Sequence, residues 1–151
     1  MITLDKFDNI ILHSLSNEGR ISNTKLAEKV GLSPSACLRR VKELENSKII
    51  KGYRAILNRE ALERSFLAYV TVGLSNHGIE SHKEFERAIL NVSEVTECHN
   101  LAGAFEYLLR VEVKNTSDYK KFHAGVLGSL PQVNSITTYL VLDSPKDERG
   151  Y

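Results

Sequence analysis

The chain has 151 residues, 42% of them hydrophobic, and 20 Lys+Arg against 19 Asp+Glu leave a formal net charge of +1. That is enough apolar material for one sizeable core or two small ones, and no apolar run approaches the roughly 18 residues of a membrane span. The opening MITLDKFDN has neither a basic n-region nor an apolar h-region, so no secretory signal is expected. Cys37 and Cys98 lie far apart in apolar-patterned segments, which suits two reduced, buried thiols in a cytoplasmic protein better than a disulfide.

The first third of the chain has helical period. Leu4, Phe7, Ile11 and Leu15 recur at helical spacing, and Ile10 widens the stripe. Asp5 and Asp8 put carboxylates where the first helical amides need acceptors. A short helix follows over about 23–30, burying Leu26, Ala27 and Val30, and Gly31 ends it. Ser33 is a good N-cap and Pro34 fits the first helical position, so a third helix runs to about Ser47. Two helices separated by little more than Gly31 and Leu32, after a leading helix, make a helix-turn-helix pattern. IIKGYRAIL, 49–57, reads as an extended hairpin turning at Lys51-Gly52, which completes a winged helix-turn-helix over 1–57.

A linker, NREALERS (58–65), separates this from a second pattern. FLAYVTVGL (66–74) is an apolar strand, and SHKEFERAIL (81–90) is a helix with a Ser81/Glu84 capping box and Phe85 and Ile89 inward. EVTECHNLAG (94–103) and EYLLRVEV (106–113) read as paired strands. Tyr119, Phe122, Val126 and Leu130 then mark a helix stopped by Pro131, and VNSITTYLVL (133–142) is a last strand. The fold class is therefore α+β, with a ferredoxin-like βαββαβ domain over 66–151. Two helices cover one face of a four-stranded sheet. The other face is expected to be apolar and covered by a second subunit. The tail SPKDERGY is expected to fray.

The near-zero charge hides an asymmetry. Residues 1–60 carry 11 basic against 7 acidic side chains, whereas 61–151 carry 9 against 12. Within 19–54 the count is 9 against 3, so positive charge gathers around the third helix. On a wheel of 100° per residue, Cys37, Val41 and Leu44 share the inner side. Ser35, Leu38, Arg39 and Lys42 share the outer one, a mix of hydroxyl, apolar and cationic groups that suits the edges of bases in a major groove. Arg40 flanks the core, where it braces the helix or reaches a phosphate. Lys25, Lys48, Lys51 and Arg54 are candidates for phosphate contacts, with Ser33 at the helix start.

RISNTKLAEKVGLSPSACLRRVKELENSKIIKGYRAILN (20–58) resembles the winged-helix domain of Lrp/AsnC (feast/famine) regulators. ECHNLAGAFEYLLRV (97–111) followed by VNSITTYLVL resembles the companion motif of the same family, so the likeness spans nearly the whole chain. It implies a sequence-specific regulator of transcription that binds double-stranded DNA and answers a free amino acid through changes in oligomeric assembly. Dimers pair across their sheets and assemble further, typically to octamers. The effector implied by the family sits near the turn between the second and third strands, here Ala102, Gly103, Ala104, Phe105, Glu106 and Tyr107, with Ile136 and Thr138 from the last strand.

Three positions depart from the family pattern: Ala104 where a polar residue is usual, Glu106 where Asp is usual, and Ile136-Thr137-Thr138 where a Thr-x-Thr pair is common. Ala104 and Ile136 make the pocket more apolar, which favours leucine or methionine over a charged effector. Gly103 supplies a positive φ for the turn, or room for a ligand backbone.

No catalytic or metal site is expected. Cys98 and His99 are strand neighbours pointing to opposite faces, and His77, His82 and His123 lack ligand spacing. Phosphate-binding glycine motifs are absent. The alternative to an effector-responsive regulator is an architectural DNA-binding protein indifferent to amino acids.

Overall fold

A computed structural model describes residues 3–146. They form two compact units, the second spanning Leu57–Pro145 and the first the described residues on either side of it. No helix among the described residues is long and apolar enough to cross a membrane. Residues 147–151 lie outside the described range, and with them most of the tail expected to fray.

The first unit holds three helices, α1 (Lys6–Asn17), α2 (Asn23–Val30) and α3 (Pro34–Asn46). Local chemistry sets each boundary. The Asp5 carboxylate accepts from the Phe7 and Asp8 amides at 2.8 and 3.0 Å, and the Asp8 carboxylate accepts in return from the Asp5 amide at 3.1 Å. This reciprocal box satisfies amides that no helical carbonyl can reach. Gly31 ends α2 at φ 77, where a side chain would be strained, and its amide returns to Ala27 O at 2.9 Å. Ser33 caps α3, accepting from the Ala36 amide, with Pro34 at the first helical position. Ile11, Leu26, Ala27, Val30, Cys37 and Leu44 are buried together, and Val41 and Ile50 pack on their margin.

The hairpin expected over 49–57 is not formed as paired strands. After α3 the chain turns at Lys48 (φ 61), and the Ile50 amide donates to Leu44 O at 3.0 Å. The Tyr53 hydroxyl donates to the Glu45 carboxylate at 2.9 Å. These bonds hold the segment to the end of α3, and a two-stranded ribbon has little stability of its own to oppose them.

In the second unit, β1 (Phe66–Leu74), α4 (Ile79–Leu90), β2 (Val95–Asn100), β3 (Tyr107–Val113), α5 (Thr116–Gly125) and β4 (Val133–Leu140) follow in the expected order. The four strands form an antiparallel sheet in the order β2-β3-β1-β4. Ala68, Val70, Val72 and Leu74 of β1 alternate inward with Tyr107, Leu109, Val111 and Val113 of β3. Phe85, Ile89, Phe122 and Leu127 close that core from the helical side.

The structure differs from the sequence-based expectation at three places. Helix α4 begins at Ile79 behind Gly78, so Ser81 is an interior, buried helical residue and the Ser81/Glu84 capping box does not form. Cys98 is exposed, because it lies on the edge strand β2, while Cys37 is buried and its thiol is pushed up by desolvation. The sheet face away from the helices is not simply apolar. Beside Leu67 and Thr71 it carries Arg110, only 1% exposed, whose guanidinium meets the Glu112 carboxylate at 2.9 Å and lies 6.0 Å from the Tyr69 ring.

Candidate DNA-reading surface and effector site

Helix α3 is fixed on one side and open on the other. Cys37 and Leu44 are buried in the helical core, and the Asn23 side-chain amide donates to Pro34 O at 2.8 Å, tying α2 to the start of α3. Opposite them, Ser35, Leu38, Arg39 and Lys42 are all exposed and line one shallow depression together with Glu43 and Asn46. Glu43 and Asn46 went unnoticed in the sequence, although each stands four residues beyond Arg39 or Lys42 and so on the same face. Arg39 meets Glu43 at 3.1 Å with both side chains largely in water. Such a pair is weakly held, so the guanidinium can leave it for a base edge.

Arg40 has a different task from its neighbour. It meets Asp8 at 2.8 Å and Asp5 at 2.9 Å, and its guanidinium lies 5.3 Å from the Phe7 ring centre. The arginine therefore ties α3 to the capping box of α1, as a brace. The Asp8 amide foremost, and Arg40 after it, hold the Asp5 carboxyl below its ordinary value. Ser33 is exposed, and its hydroxyl, besides capping α3, lies 3.2 Å from that of Ser35. Lys25, Lys48, Lys51 and Arg54 are exposed, the last two on the segment that lacks a ladder.

In the second unit, the turn between β2 and β3 projects at one end of the sheet. Ala102, Gly103 and Ala104 are exposed and Phe105 is half-buried. Nothing lies within 4 Å of where a Gly103 Cβ would stand, and its φ is not positive, so of the two reasons for glycine there only open space applies. The Glu106 carboxylate turns back toward β1: Oε2 accepts from the Leu74 amide at 2.7 Å, and Oε1 lies 3.1 Å from His77 Nδ1.

Tyr107 points away from that turn into the core, against Phe85 with ring centres 4.5 Å apart. Its hydroxyl donates to Glu86 at 2.8 Å and meets His82 Nδ1 at 2.9 Å. Burial foremost, with Glu86 adding to it, pushes this phenol up to about 12.

A model of the winged helix-turn-helix DNA-binding domain matches residues 4–51, and a model of the Lrp/AsnC ligand binding domain matches 67–151. The chain belongs to the Lrp/AsnC family. The leucine-responsive regulatory proteins of Escherichia coli (strain K12) and Salmonella typhimurium are each 41% identical to it over 143 residues, 95% of this chain and 87% of theirs. Among solved structures, a Neisseria meningitidis transcriptional regulator in complex with L-Met superposes with a TM-score of 0.94 at 32% identity, covering 99% of this chain and 96% of that one. An AsnC family transcriptional regulator from Agrobacterium tumefaciens gives 0.92 at 26%, covering 98% and 96%.

Within this Lrp/AsnC ligand-binding domain, the positions expected to serve the effector do not all converge. Tyr107, Val72 and Ile136 lie in one row across β3, β1 and β4. Neighbouring strands are about 4.8 Å apart, so Ile136 is roughly 10 Å from Tyr107. Ile136 packs on the core, and the Thr138 hydroxyl meets the Tyr119 hydroxyl at 2.6 Å. Closer to the turn, and missed in the sequence, are Gly73, Leu74 and His77 from the end of β1 and the loop after it, and Ser135 of β4. The register shift at Gly73/Leu74 that gathers them leaves no sequence signal beyond the glycine.

Proposed function

We propose that this Lrp/AsnC regulator reads a specific DNA sequence through α3 and tunes that reading to free leucine or methionine at the β2–β3 turn. The observation that carries the first half is the division of α3. Cys37 and Leu44 are buried, while Ser35, Leu38, Arg39 and Lys42 form a contiguous outer face of hydroxyl, apolar and cationic groups. Arg39 and Lys42 meet bases or phosphates, and Lys25, Lys48, Lys51 and Arg54 supply charge toward the backbone.

For the second half, the exposed turn Ala102-Gly103-Ala104 offers small apolar side chains and open space rather than a charged partner. The leucine-responsive name of the Escherichia coli relative and the L-Met bound to the Neisseria protein support an aliphatic or thioether effector. Two α3 helices presented by one dimer read half-sites on one face of the duplex, and dimers assemble further, to an octamer, in the cytoplasm. Effector binding biases the contacts between dimers, so amino acid and DNA change each other's affinity reciprocally.

The test is isothermal calorimetry with leucine, methionine, aspartate and lysine, alongside operator selection from random DNA. Heat with the apolar pair and a defined selected sequence are expected. Preference for a charged amino acid refutes the effector assignment. No amino-acid binding together with indifference to DNA sequence favours an architectural protein instead.

A further inference from the structure

The resemblance places Glu106 among the residues of the turn expected to serve the effector. The geometry gives it another occupation. Between Gly73 and Leu74 the β1–β4 pairing shifts register, and the Leu74 amide finds its acceptor in the Glu106 carboxylate at 2.7 Å. Glu106 is itself built into the sheet end, its amide donating to Val72 O at 3.1 Å and its carbonyl accepting from Leu101 at 2.8 Å. Its second oxygen lies 3.1 Å from His77 Nδ1, and only 14% of the side chain is exposed.

Gly73 completes the arrangement. A Cβ there would collide with Ser135 Oγ at 2.3 Å and meet Glu106 Oε2 at an ordinary contact of 3.7 Å, so the irregular β1 end packs directly beside the carboxylate. A half-buried acceptor that satisfies a backbone amide is costly to withdraw, because the amide then loses its partner.

We infer that Glu106 is a positioning residue: its carboxylate, held on the Leu74 amide and beside His77, sets the shape of the β2–β3 turn and so the turn's choice of effector. This rests on the effector being read at that turn. Reach matters more than charge. An Asp at 106 is one methylene shorter and leaves the Leu74 amide, whereas a Gln keeps an acceptor oxygen at the same distance.

The experiment compares wild type, Glu106→Ala, Glu106→Asp and Glu106→Gln in the full chain. It measures methionine and leucine affinity by calorimetry and the exchange rate of the Leu74 amide by NMR without ligand. Glu106→Ala and Glu106→Asp are expected to speed Leu74 exchange, to weaken effector binding about fivefold, the worth of one ordinary hydrogen bond, and to change the leucine-to-methionine ratio. Glu106→Gln is expected to restore all three readings. The opposite order, with Asp preserving affinity and Gln losing it, overturns the inference and makes Glu106 a direct ionic partner. Unchanged Leu74 exchange in Glu106→Asp also overturns it. Slow exchange in wild type with no amino acid bound at all overturns instead the reading of the turn as effector site, and the role in effector choice with it.

Discussion

The helical unit and the sheet unit use charge in opposite ways. In the first, the outer face of α3, proposed to read DNA, leaves Arg39 and Lys42 in water, and the neighbouring Arg40 is drawn inward onto the Asp5/Asp8 cap. In the second, Arg110 and Glu112 are buried on the sheet face opposite the helices, and the Glu106 carboxylate is turned onto a backbone amide. Charge that must meet a partner stays exchangeable; charge that must define a shape is desolvated and bonded. Position along the chain does not tell the two apart, since Arg39 and Arg40 are adjacent.

The sharpest way to break that contrast is at Arg110. Arg110→Ala leaves Glu112 buried against a cavity and should cost about 3–5 kcal/mol of unfolding free energy, measured by urea denaturation. An Arg110→Met/Glu112→Leu double substitution should recover most of that loss, because apolar side chains of similar volume need no pairing. Equal loss in both variants would mean that this pair specifies the fold in a way apolar packing cannot replace.

On the helical side, stability and binding should separate. Leu44→Ala removes a buried side chain and should cost about 2–5 kcal/mol of stability. Arg39→Ala should leave stability within about 0.5 kcal/mol, yet weaken binding to a selected operator by about 1–3 kcal/mol, read by fluorescence anisotropy. Lys25→Ala should do less again, lowering affinity on all sequences alike and reducing the salt dependence of binding by about one unit of slope.

Tyr107 gives a pH test confined to the sheet unit. Its folded-state value is raised from 10.0 to about 12, so the protonated phenol is the form that folding favours. The stability it contributes is complete below pH 10 and is lost as pH rises through about 12. Tyr107→Phe should flatten that alkaline decline, as followed by denaturation at stepped pH.

These contrasts also explain what could be read ahead of the structure. The helices of the first unit were legible because each carries its own start and stop: Asp5 with Asp8, Ser33 with Pro34, Gly31 at φ 77. The chain order of strands and helices in the sheet unit followed from the change of period. What stayed hidden depends on distant partners. Nothing local says that Ile50 will return its amide to Leu44, or that Gly78 will start α4 ahead of a persuasive Ser81. Arg110 sat at an outward position of its strand, and alternation gives its face without its burial. The exposed outer face of α3 was visible in the sequence apart from Glu43 and Asn46. The effector region was visible only through family resemblance, and the Gly73/Leu74 irregularity beside it was not visible at all.

The two units meet functionally in one quantity, the affinity for operator DNA with and without an apolar amino acid. Anisotropy titrations of the full chain on a selected operator, at fixed salt, with leucine, methionine or aspartate at saturating concentration, measure it directly. An amino-acid-tuned DNA reader should shift its operator affinity about fivefold or more with leucine or methionine, a coupling of about 1 kcal/mol or more, and little with aspartate. Identical titrations under all conditions would contradict it.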